Sequence, residues 1–70
     1  MTPDQFAALA QLLRLRAGST RRELARLVMV DGLSHAEAAA RLGARPQDVY
    51  KAMVSARTGL ALARRAAGLD

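Results

Sequence analysis

Seventy residues allow one small domain with a marginal core, and the lack of cysteine removes both a disulfide frame and a thiolate metal site. Apolar residues make up 51% of the chain and aromatics only 3%, an alanine- and leucine-rich mixture that favours helix over strand. The formal net charge of +5, carried almost wholly by arginine, favours phosphate-bearing partners, and no apolar run approaches the ~20 residues of a membrane span.

The first helix is expected over residues 3–16. Thr2 can cap free amides, Pro3 suits the first helical position, and Gln5 completes a Thr-x-x-Gln capping box. Phe6, Leu9, Ala10 and Leu13 recur at helical spacing, with Leu12 and Leu15 widening the stripe. Ala17-Gly18-Ser19 breaks the run. The opening Met1-Thr-Pro-Asp4 lacks the basic region of a secretion signal, so a cytoplasmic location is expected.

A second helix follows over 20–31, capped by Ser19 or Thr20, with Leu24, Leu27 and Val28 as its buried stripe. Asp31-Gly32 stops it. The third, over 35–42, opens on a Ser34-x-x-Glu37 capping box, carries Ala38, Ala39 and Leu42, and ends at Gly43. The fourth starts at Pro46, with Val49, Ala52, Met53 and Ala56 on one face. It either stops near Thr58-Gly59, giving helices over 46–57 and 59–67, or runs on as one, since Leu60 and Ala63 continue its stripe. The expectation is an all-α, four- to five-helix bundle in a single domain, with fraying at Met1 and from Ala67 to Asp70.

The stretch 34–57 carries the functional signal. Two helices crossing steeply at close range need a small residue mid-way along the first, and Ala39 stands there. The turn needs a left-handed backbone, which Gly43 accepts, and Val49 and Ala52 can anchor the second helix. That is a helix-turn-helix pattern.

At 100° per residue, Gln47, Tyr50, Lys51, Val54, Ser55 and Thr58 fall opposite the buried stripe. Gln47 suits a bidentate bond to adenine, Lys51 can donate to guanine, and Val54 can touch a thymine methyl. Tyr50 and Ser55 suit phosphate oxygens. Arg45 and Pro46 open the helix where phosphates bind, and Arg41 and Arg57 flank it. Ser34 and His35, starting the third helix, complete the candidate DNA-binding set, with His35 read as an exposed surface or phosphate-contact residue. Within 41–57, Arg41, Arg45, Lys51 and Arg57 stand against Asp48 alone, so +3 of the charge lies there, whereas 21–40 is neutral. There is no Ser/His/Asp set, carboxylate pair, glycine-rich phosphate loop or metal-ligand spacing, so neither catalysis nor a cofactor is expected.

Leu24-Ala-Arg-Leu-Val-Met-Val-Asp-Gly32, the Ala39–Gly43 turn and Val49 resemble the KorA/TrfB group of plasmid-encoded repressors, and Thr2–Phe6 is similar to that group's first helix. The opening run Met1–Ala10 and the ending Leu62–Gly68 resemble the small phage anti-CRISPR-associated (Aca) regulators. The resemblance implies a homodimer that binds an inverted-repeat operator and represses its own or neighbouring genes. It departs at Arg45-Pro46, where the group has a small capping residue, and in the short segment 58–70. A dimer contact would then fall to Leu60, Leu62, Ala63 and the stripe of the first helix. Gly32-Leu-Ser34-x-x-Glu37 also looks like the promoter-reading end of sigma factors. Two rivals from other classes remain. A protein-interaction or inhibitor module would dock its basic face on an acidic protein. A membrane-surface module is opposed by short, glycine-interrupted apolar faces without aromatic anchors.

Overall fold

In a computed structural model that describes residues 1–69, the chain is all-helical, with α1 over Pro3–Leu12, α2 over Thr20–Met29, α3 over His35–Leu42 and α4 over Pro46–Ala66. Each start has a chemical cause. Thr2 and Gln5 form the expected capping box, the Thr2 hydroxyl accepting the Gln5 N–H at 3.1 Å while Gln5 Oε1 accepts the Thr2 N–H at 2.9 Å. Ser19, rather than Thr20, caps α2 by accepting the Arg22 N–H at 3.2 Å. Ser34 and Glu37 close the α3 box with bonds of 3.1 and 3.0 Å.

The expected α1 over 3–16 is too long. It ends at Leu12 because Arg14 turns left-handed at φ 56°. The Leu15 N–H then bonds the Ala10 carbonyl at 2.8 Å and the Arg14 N–H bonds Gln11 at 3.1 Å, which satisfies two orphan carbonyls. α2 also ends short of residue 31, at Met29, and its last carbonyls are met by the Asp31 and Leu33 N–H groups from the Gly32 turn. Beneath that turn Arg26 binds the Glu23 carboxylate and, at 3.1 Å, Asp31. Hydrogen bonding to Arg26 holds Glu23 below the ordinary glutamate range, and Glu23 in turn holds Arg26 above its own.

No fifth helix separates at Gly59, because α4 runs 21 residues without a break. A Cβ on Gly59 would lie 2.1 Å from Leu13 Cδ2, so the bare backbone there is the seat of a side chain from the α1 exit. The helix-weakening residue is thus retained for packing, and continuous hydrogen bonding carries α4 through it.

The core is Phe6, Leu9, Ala10, Leu24, Ala25, Leu27, Ala38, Ala39, Val49, Ala52, Met53 and Ala56, all nearly inaccessible. α4 packs on each of the other three helices, and α2 also contacts α1 and α3. Two leucines expected in the stripes lie outside it: Leu12 and Leu42 are exposed. Among the described residues no helix is long and apolar enough to cross a membrane.

Candidate nucleic-acid interface

α3 and α4 are joined by Gly43, Ala44 and Arg45. Gly43 takes the left-handed φ of 63° expected of it. Its N–H bonds the Ala40 carbonyl at 3.4 Å and the Ala44 N–H bonds Ala39 at 2.9 Å, so the turn is closed by backbone alone. Ala39 is 3% exposed, as close approach of α4 requires. Val49, Ala52, Met53 and Ala56 then bury one side of α4 completely.

The opposite side is open. Gln47, Tyr50, Lys51, Val54, Ser55, Arg57 and Thr58 are all exposed, and Tyr50 and Val54 reach 63% and 46%. The side chains of Gln47, Tyr50, Lys51 and Ser55 make no hydrogen bond within the described residues. Their donors and acceptors therefore point to solvent from a helix that is anchored behind them.

The flanking residues are more committed. Arg45 lies at the N-cap of α4, where its N–H donates to Asp48 Oδ2 at 3.2 Å and its Nε sits 3.6 Å from the same oxygen. Asp48 thus offsets Arg45, and the positive charge left unmatched over residues 46–57 is Lys51 with Arg57. Pro46 is the first helical residue, as expected. Ser34 uses its hydroxyl oxygen as a cap, and the same hydroxyl bonds the Glu37 carboxylate, so it is committed within α3. Arg41 is exposed, with Glu37 within electrostatic reach one turn before it on α3. His35 is half-buried rather than exposed, since the first turn of α3 is partly covered. The Ser34 amide and hydroxyl hold Glu37 below the usual carboxylate range, with a smaller contribution from Arg41.

One cleft was not legible in the sequence. Thr20, Arg21 and Leu24 from α2 face Asp48 and Lys51 from α4 across about 320 Å³. Nothing in the spacing of α2 places its first turn against that side of α4, so only tertiary packing brings Arg21 to the border of the exposed face.

Of the residues expected to mediate self-association, Leu62 is exposed while Leu60 and Ala63 are half-buried. Leu60 and Ala63 line an apolar groove of about 400 Å³ against Met1, Leu9 and Leu12 of the N-terminal region. A second hollow beside it joins Leu12 and Leu13 to Leu62 and Ala66. Asp70, the last residue of the segment 58–70, lies outside the described residues. Among the described residues no group of three or more His, Asp or Glu side chains could hold a metal ion. No known protein family, curated protein or solved structure matches the chain.

Proposed function

We propose that this chain is a sequence-specific binder of double-stranded DNA that inserts the N-terminal half of α4 into a major groove and acts as a transcriptional repressor. The observation that carries the reading is the two-sidedness of α4. Val49, Ala52, Met53 and Ala56 are 0–3% exposed, whereas Gln47, Lys51 and Ser55 stand in solvent with hydrogen-bonding groups unused among the described residues, beside the exposed methyls of Val54. An α-helix fits the B-DNA major groove, and glutamine, lysine and an apolar methyl suit adenine, guanine and thymine edges respectively. Arg57 supplies charge for the phosphates alongside.

The reading includes self-association. A homodimer meets an inverted repeat with its two recognition helices about 34–36 Å apart, one turn of the duplex. The apolar groove between α1 and the C-terminal half of α4 is the surface available for that contact. Repression of the chain's own promoter rests on the sequence resemblance alone.

The test is binding to the duplex upstream of its gene against a scrambled duplex, read by fluorescence anisotropy. Lys51→Ala and Gln47→Ala should each weaken binding to the specific duplex by about 1–3 kcal/mol while leaving helicity intact. Parent-like affinity in both variants refutes the assignment of the reading face. A chain that never prefers its own upstream DNA, yet captures an acidic protein through the same face, belongs to the interaction-module class instead.

A further inference from the structure

We infer that Arg21, with Thr20 beside it at the first turn of α2, is an anchor for a DNA backbone phosphodiester flanking the groove that α4 reads. The inference rests on the DNA-binding reading and adds a helix to it. The basic residues of α2 divide by what they touch. The Arg22 guanidinium donates to the Leu15 carbonyl at 3.1 Å and so ties α2 to the α1–α2 connection. Arg26 is held by Glu23 and Asp31. Arg21 makes no hydrogen bond or ion pair within the described residues, and it is exposed on the wall of the cleft shared with Lys51.

The cleft is short of negative charge. Its one carboxylate, Asp48, has Oδ2 accepting the Arg45 N–H and lying beside Arg45 Nε. Two cations from separate helices therefore border one hollow without a carboxylate of their own. Leu24, 1% exposed, is the apolar residue of its lining. The Thr20 hydroxyl makes no hydrogen bond among the described residues and can donate to a phosphate oxygen. A singly charged phosphodiester satisfies both the charge and the donor. Because Lys51 lies on both the cleft and the exposed side of α4, a strand whose bases meet α4 brings its backbone to Arg21.

The experiment measures affinity for the upstream duplex and for a scrambled duplex over a range of salt concentrations. Arg21→Gln should reduce the slope of log K against log salt by about 0.9 and weaken both duplexes by the same factor. Arg21→Lys should restore the slope, and Arg14→Gln, which alters an exposed arginine on the α1–α2 connection, should leave it unchanged. An unchanged slope in Arg21→Gln, with parent-like melting, overturns the inference while leaving the role of α4 intact. A parent that binds neither duplex would instead overturn the DNA reading itself. Inorganic phosphate is the remaining arm. If it shifts the Thr20 and Arg21 amide resonances and duplex DNA does not, the cleft takes free anions and the backbone assignment is wrong.

Discussion

Replacing Gly59 by alanine sets two opposing effects against each other. In an ordinary helix interior the change stabilises by about 1 kcal/mol, because glycine loses more backbone freedom on folding. Here the new methyl would lie 2.1 Å from Leu13 Cδ2, 3.0 Å from Cγ and 3.1 Å from Cδ1. Three atoms of one side chain are engaged, so rotating a single methyl away does not relieve the contact, and Leu13 must leave its seat on α4. Overpacking of this kind costs about 1–3 kcal/mol. The overlap wins, and Gly59→Ala should destabilise by about 1 kcal/mol, lowering Tm by about 4–8 °C in a domain of this size. In a Leu13→Ala background the obstacle is gone and the sign should reverse, with Gly59→Ala now stabilising by about 1 kcal/mol. The double-mutant cycle then gives a coupling near 2 kcal/mol, measured by thermal melts followed at 222 nm in the far-ultraviolet circular dichroism. A rise in Tm for Gly59→Ala in the parent chain would show that Leu13 does not rest on α4, and with it would go the stated cause of the glycine.

Two further outcomes concern the first turns of α2 and α3. Ser34→Ala removes the acceptor for the Glu37 N–H and should cost about 1 kcal/mol, a drop of about 4–8 °C in Tm; an unchanged melt would mean that water replaces the cap without loss. Acid should also destabilise the chain. Glu23 and Glu37 are both held below the ordinary value of 4.5, so the unfolded state takes up protons first as pH falls. Their contribution is complete above that value and disappears as pH drops from about 4.5 through the lower folded-state values. Both carboxylates are substantially exposed, so the loss should be modest. A Tm that does not fall across that interval, or a Glu37→Gln variant that loses as much as the parent, would contradict the sign.

How much of this was legible depended on whether the decisive interaction was local. The boxes Thr2–Gln5 and Ser34–Glu37 span three residues, so their spacing alone announced α1 and α3. The left-handed turn at Gly43 was equally local, because residue type and backbone requirement coincide there. The end of α1 was not, since its left-handed residue is Arg14 and no residue preference marks that position. Gly59 left two courses for α4 open, a break or one continuous helix, because its packing neighbour is Leu13, more than forty positions away in the chain. The outward face of α4 could be computed from helical periodicity. The half-burial of His35, the Arg45–Asp48 pairing and the place of Arg21 depend on how helices pack, and periodicity carries no information about that.

The two sides of α4 divide between packing and solvent. Six of the twelve core residues are alanines, so the helices approach through small side chains and α4 is gripped at close range from α1, α2 and α3. None of Gln47, Tyr50, Lys51, Val54 or Ser55 belongs to that core. Surface substitutions that touch neither a cap nor the core change stability by only about 0.5 kcal/mol. The exposed face of α4 is therefore energetically separate from the scaffold that presents it. On the DNA-binding proposal, base preference can change by substitution at a few exposed positions, while the alanine seam behind them tolerates almost no added volume.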